Sequence, residues 1–276
     1  MATFMFPGQG SQKKGMGEHL FDKFSQKIQQ TNDILGYSIE ELCLRDPQEQ
    51  LSNTQYTQPA LYVVETLSFL EYINSATPPD YCIGHSLGEY SALFAAGVFD
   101  FETGLRLIKK RGELMAKNTG GGMLAVINLP LERLTTLLQS HHLDTIDCAN
   151  LNSPKQTVLS GPADDIARAK QILSTEAKMC VVLPVSGAFH SRYMHDAAQE
   201  FAEFVAPFEF KAPNIPVLAN ATVQPYNAEN IKENLITQID HPVRWSETIN
   251  YLRQQGEKEF IEIGPGNVLT RLLTYF

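Results

Sequence analysis

The sequence predicts an α/β fold in two parts, a large unit around a mostly parallel sheet and a smaller inserted unit. Three observations predict it. Strand-like apolar segments alternate with segments of helical period, which implies parallel pairing beneath helices on both faces. Residues 81–97, YCIGHSLGEYSALFAAG, pass from strand to helix within five positions. From Gly122 onward the rhythm shortens to β-α-β-β-α-β, the ferredoxin-like order.

The elements follow in order along the chain. Ala2–Phe6 is an apolar strand stopped by the loop Pro7-Gly8-Gln9-Gly10-Ser11-Gln12. Helical patterns follow around residues 17–30, 38–44 and 58–74. Tyr81–Ile83 ends a strand, Glu89–Ala96 is a helix closed by Gly97, and a further helix begins after Asp100. In the insert, Met123–Asn128, Ile146–Ala149, Gln156–Ser160 and Met179–Leu183 read as strands, with helices at Leu131–Gln139 and Ala163–Thr175. This gives a large domain of residues 1–121 and 186–276 around a small domain of residues 122–185. NIPVLAN (214–220) and EFIEIG (259–264) read as further strands of the main sheet, and GPGNVLTRLL as a turn into a closing helix.

Composition narrows the function. A chain of 276 residues with 43% hydrophobic and 19% charged residues is an ordinary globular chain long enough for a substantial core. No apolar run approaches the roughly 20 residues of a membrane helix. Met1–Phe6 is too short for a signal-peptide core, so a cytoplasmic location is expected. A net charge of −9 argues against binding nucleic acid. Cys43, Cys82, Cys148 and Cys180 lie far apart without CxxC spacing and read as small buried residues.

The passage Gly84-His85-Ser86-Leu87-Gly88 has the form of a nucleophile elbow. A strand that reverses into a helix over five residues strains its central residue, and side chains two places away would collide. The turn lifts the Ser86 hydroxyl clear of the sheet against a helix N-terminus, where developing negative charge is favoured.

A serine needs a base, and histidine is the usual one near neutral pH. His19, His141, His142, His195 and His241 fall in polar surroundings and read as structural or solvated. His85 adjoins Ser86, but its side chain must leave the elbow in another direction. His190 ends VVLPVSGAFH, just beyond a strand, where the catalytic groups of α/β sheets collect. His190 and His195 lack HExxH spacing, so no metal site is expected.

Two features leave alternatives open. The loop PGQGSQ is either a tight turn alone or the source of a second oxyanion donor, the Gln9 amide, beside that of Leu87. In DFETGLRLIKKRGELMAK, Arg111 falls inside the apolar arc with Leu107 and Met115. It is either half of a buried ion pair or a bidentate clamp for a substrate carboxylate. Arg106, Lys109, Lys110 and Lys117 share the polar arc and are candidates for contact with an acidic partner.

Taken together, FPGQGSQ, TQPAL, GHSLGEYSAL, KKRGELM, GAFHS, PVRW and GPGNVL resemble the malonyl-CoA:acyl carrier protein transacylases over nearly the whole chain. GYSIEEL and TQPALYVV point to the stand-alone acyltransferases that serve modular polyketide synthases in trans. The resemblance implies a hydrolase-like large domain plus a ferredoxin-like small one. It implies that Ser86 carries the acyl group, that His190 is its base and later its acid, and that Arg111 binds the malonyl carboxylate. Gln9 and Leu87 would supply oxyanion amides, and the backbone carbonyl at Gln238 would orient the imidazole in place of a triad acid. Phe189, in GAFH, would hinder an α-methyl group, and His85 completes the expected substrate-binding set.

The implied chemistry is ping-pong transfer of malonyl from malonyl-CoA to the phosphopantetheine thiol of an acyl carrier protein, for polyketide or fatty acid synthesis. It needs no bound cofactor, and a monomer is expected. An acyl hydrolase that clears carrier proteins is the first alternative, and a non-catalytic scaffold the second; Arg111 favours transfer over hydrolysis. The chain stops at Phe276, short of the tail seen in relatives, as a trimmed protein or one domain of a longer one would.

Overall fold

The computed structural model describes residues 2–276. Its strands are β1 (Ala2–Phe6), β2 (Tyr81–Gly84), β3 (Gly121–Ile127), β4 (Asp147–Ser153), β5 (Gln156–Pro162), β6 (Met179–Val182) and β7 (Glu259–Glu262). The helices before β3 are α1 (Glu18–Phe21), α2 (Ser25–Leu35), α3 (Ile39–Leu44), α4 (Thr54–Ile73), α5 (Gly88–Ala95) and α6 (Phe101–Lys117). Later come α7 (Leu131–Ser140), α8 (Ala163–Leu173), α9 (His195–Val205), α10 (Ile231–Asp240), α11 (Trp245–Gln254) and α12 (Val268–Leu273).

The main sheet is parallel, in the order β2-β1-β7. Side chains alternate across it: Phe4 and Phe6 enter the large core with α4 and α5, whereas Met5 and Ile83 pack with Trp245, Ile249 and Leu252. The register sets the site, because Phe6 pairs with Gly84. The loop after β1 and the turn after β2 therefore leave the sheet side by side, at the strand ends where open α/β sheets gather ligands.

The second sheet is antiparallel, in the order β4-β5-β3-β6, which is the ferredoxin-like arrangement. Leu124 and Val126 of β3 pack under α7 and α8 with Leu134, Leu138 and Ile166, giving this sheet a core of its own. Met123 and Ala125 face the other way and join the large core. The two units are stitched where Asn150 of β4 bridges Val243, through Leu151 N–H to Val243 O (2.9 Å) and Val243 N–H to Ala149 O (2.9 Å).

Several expectations need correction. NIPVLAN does not extend the main sheet as a strand; it makes a single parallel bridge, Cys82 to Val217. Pro213 and Pro216 have no N–H to offer a ladder, so pairing cannot propagate through them. The helix expected over 17–30 breaks at Asp22–Phe24 into α1 and α2. The helix expected from 58 starts at Thr54, because the Asn53 side chain caps it by accepting from Gln55 N–H (3.1 Å), so Pro59 lies inside it. Cys43 and Cys82 are buried as expected, but Cys148 and Cys180 are only half-buried.

Candidate active site

Ser86 sits at the tip of the β2–α5 turn with φ 53°, in the left-handed region. The flanking glycines are required by contact. A Cβ on Gly84 would lie 2.0 Å from the Gly88 carbonyl group, and one on Gly88 would lie 2.2 Å from Phe6 O. No side chain fits between these backbones.

Ser86 Oγ lies 2.7 Å from His190 Nε2. His190 Nδ1 lies 2.9 Å from Gln238 O and 3.2 Å from His241 O. Both oxygens can only accept, so Nδ1 carries the ring proton and Nε2 offers its lone pair to the Ser86 hydroxyl. The Gln238 carbonyl thus takes the place expected for it. His241 supplies a second acceptor that reading it as a solvated residue misses, since a backbone contact leaves no mark on side-chain chemistry. Burial, then the Arg111 charge and His85, push the His190 pKa down to about 3. The imidazole is therefore neutral, and able to take a proton, throughout the physiological range.

Arg111 is 1% exposed. Its Nη1 donates to Gln58 Oε1 (2.7 Å), and its Nη2 donates to Gln238 Oε1 (2.7 Å) and to Ser86 Oγ (3.1 Å). Its buried Nε–H has no partner. Every acceptor is neutral, so no buried ion pair explains the inward arginine; its charge lies beside the nucleophile with donor capacity to spare. Gln58, 1% exposed, is the main residue that sequence reasoning misses. It lies in TQPAL, one turn into α4, and a buried glutamine on an apolar helix is the signal that could have found it.

Leu87 and Gln9 line the same cavity of about 80 Å³ as Ser86, Arg111, Phe189 and His190. Neither the Leu87 nor the Gln9 backbone N–H has an acceptor among the described residues. Two unpaired backbone amides thus belong to residues that line the serine's cavity. The loop is a tight turn, with Ser11 N–H donating to Gly8 O (3.2 Å). His85 lines the cavity but places its Nε2 2.8 Å from Asn152 Oδ1 on β4 and its ring against Trp245. It therefore ties the elbow to the small sheet.

Behind the serine lies a carboxyl that the sequence reading did not single out. Glu89 is fully buried and accepts from Tyr226 O–H and from Asn220 N–H (2.7 Å). Burial pushes its pKa up to about 7 against these bonds and the nearby Arg111 charge. On the outer face of α6, Lys117 pairs with Glu200 (2.7 Å), Lys109 donates to Ile34 O (2.8 Å) and Lys110 lies over the Phe204 ring. Most of the basic arc is thus engaged within the fold.

A serine hydroxyl held 2.7 Å from a buried neutral imidazole pairs a nucleophile with a base. Comparison with known proteins agrees. Residues 3–275 match the acyl transferase domain family. The polyketide biosynthesis malonyl CoA-acyl carrier protein transacylase PksC of Bacillus subtilis is 52% identical over 276 residues, covering 99% of this chain and 96% of that protein. The crystal structure of malonyl CoA-acyl carrier protein transacylase from Burkholderia pseudomallei superposes with a TM-score of 0.97 at 47% identity, over 100% of this chain and 97% of that one. The holo complex PlMCAT:AntF, a type II polyketide acyl-carrier protein with its malonyl-transacylase, gives 0.93 at 36% identity, over 99% and 92%. No helix among the described residues is long and apolar enough to cross a membrane. The chain belongs to the acyl transferase domain family and, within it, to the malonyl-CoA–acyl carrier protein transacylases: it is an acyltransferase.

Proposed function

We propose that the protein moves a malonyl group from malonyl-CoA to the phosphopantetheine thiol of an acyl carrier protein through a Ser86-linked acyl-enzyme, and that it supplies extender units for polyketide synthesis. The observation that carries this reading is the buried Arg111 guanidinium. It lies 3.1 Å from the Ser86 hydroxyl with only neutral partners, where the carboxylate of a serine-bound malonyl group would fall. The names of PksC and of the PlMCAT:AntF complex support the donor, the carrier and the pathway.

His190 Nε2 takes the Ser86 proton as Oγ attacks the thioester carbonyl, and the Leu87 and Gln9 amides take the oxyanion. The C–S bond breaks, and the imidazolium returns the proton to the CoA thiolate. Once acylated, Oγ is an ester oxygen and a poor acceptor, so the Nη2–H that served it is released to the malonyl carboxylate. The carrier thiol then gives its proton to His190, attacks the ester carbonyl, and Ser86 leaves with that proton. General-base help is worth about 10²–10⁴-fold. Residues 122–185 form a small domain closing the cleft over the large domain of residues 1–121 and 186–276. Phe189, 5% exposed against the cavity, leaves little room for an α-methyl branch.

The test is incubation with a panel of acyl-CoAs, read by intact mass, followed by holo carrier protein. A malonyl adduct on Ser86 that moves to the carrier thiol is expected. Loss of the adduct to water at the same rate with and without carrier would make the protein a hydrolase, and no adduct at all would make it a binding protein.

A further inference from the structure

The structure assigns Asn220 as the positioning residue of the elbow: its one side-chain amide clasps both ends of the turn that presents Ser86. The inference rests on the reading of Ser86 as the nucleophile. Asn220 Oδ1 accepts from Ser86 N–H (2.7 Å), and Asn220 Nδ2 donates to Gly84 O (2.7 Å). An N–H can only donate and a carbonyl only accept, so the amide fits in one orientation. Asn220 is 2% exposed, and its own backbone is pinned on both sides. Its N–H donates to Glu89 Oε2 (2.7 Å), and its carbonyl accepts from Arg244 N–H (3.0 Å). Glu89 is held in turn by Tyr226 O–H.

The clasp does two things. It holds Ser86 at φ 53°, a conformation that non-glycine residues rarely adopt and leave unless the surroundings over-determine it. It also engages the Ser86 N–H, which leaves Leu87 N–H as the elbow's amide for the oxyanion. The sequence that fails to continue as a strand after Val217 is what brings Asn220 there. Asn220 touches neither the cavity nor the reacting atoms, and acts through Ser86.

Asn220→Ala leaves the Ser86 N–H buried without an acceptor, so the turn relaxes and Oγ drifts from His190 Nε2. A displacement of about 1 Å costs roughly 10²-fold in rate. Asn220→Asp is the sharper variant. A neutral carboxyl offers one C=O and one O–H, and so reproduces the amide's acceptor and donor. The ionised form sets a negative oxygen against Gly84 O. The ionisable groups around this position are Glu89 and Tyr90 on α5, Arg111 on α6, Tyr226, Arg244, His85 and His190. His190 stays neutral well into the acid range, so the base survives acidification.

The experiment measures Ser86 acylation by malonyl-CoA in full-length wild type, Ser86→Ala, Asn220→Ala and Asn220→Asp, per folded molecule as counted by thermal melts. Asn220→Ala is expected to acylate roughly 10²-fold more slowly with KM changed less than about threefold. Burial against the Gly84 carbonyl raises the introduced carboxyl well above its ordinary value near 4, so the ratio of Asn220→Asp to wild-type rate is expected to rise several-fold as pH falls from about 8 to about 5. A rate loss in Asn220→Ala that only tracks unfolded protein, a loss confined to KM, or an Asn220→Asp ratio that does not rise with acid would overturn the inference. A Ser86→Ala protein that still gains malonyl would instead overturn the nucleophile assignment, and the inference with it.

Discussion

Replacing Arg111 with alanine should lower kcat/KM for malonyl-CoA by roughly 140- to 4000-fold. The magnitude follows from burial. At 1% exposure the guanidinium has no water to share its charge, so the bond it makes to a carboxylate sits at the buried limit. Removing one partner of a buried charge pair costs about 3–5 kcal/mol, and each decade of rate corresponds to about 1.4 kcal/mol. Acetyl-CoA has no carboxylate, so its turnover should hold or rise. The variant loses the Nη2 bond to Ser86 Oγ, but it also removes the charge that, after burial, most lowers the His190 pKa. The second effect has its own signature: the acid limb of the acetyl-transfer pH profile should move upward in Arg111→Ala. Gln58 and Gln238 each lose a donor, for which about 1–3 kcal/mol of stability is at risk, so thermal melts must accompany the rates. Arg111→Lys should recover malonyl transfer only in part, since a point charge cannot form the two-pronged bond. The assay is CoA release from both donors, checked by intact mass. Equal loss of malonyl and acetyl turnover in a folded variant would refute the reasoning and make Arg111 a structural residue.

Ser86→Ala should abolish both the acyl adduct and transfer to the carrier; an adduct formed at the wild-type rate would send the search to another nucleophile. Gly84→Ala forces a methyl to 2.0 Å from the Gly88 carbonyl group, where only backbone can give way. It should lower unfolding stability in urea by more than about 3 kcal/mol or prevent folding, and an unchanged midpoint would mean that the elbow is looser than drawn. Phe189→Ala should raise methylmalonyl-CoA turnover relative to malonyl-CoA in competition, and an unmoved ratio would place selectivity elsewhere in the cavity.

The sequence by itself determined the parts that local sterics and periodicity control. G-x-S-x-G between a strand and a helix has one sterically sound arrangement, so Ser86 was legible from five residues. Helical period alone placed Arg111 among apolar neighbours, and the β-α-β-β-α-β order of the small unit followed from alternation and turns. What only the tertiary structure decided was the set of contacts made by groups distant in sequence or by the backbone. Arg111 read equally well as an ion pair or a clamp, because periodicity says that a residue points inward and not what it meets. Gln58 and Gln238, 180 positions apart, supply neutral oxygens, and among the described residues no carboxylate lies within ion-pair distance of Arg111. The carbonyl of His241, the clasp of Asn220 and the burial of Glu89 are invisible in the sequence, where each residue looks like part of a polar or strand-like segment. Their roles arise because the fold gathers residues from 51 to 134 positions apart around the turn after β2.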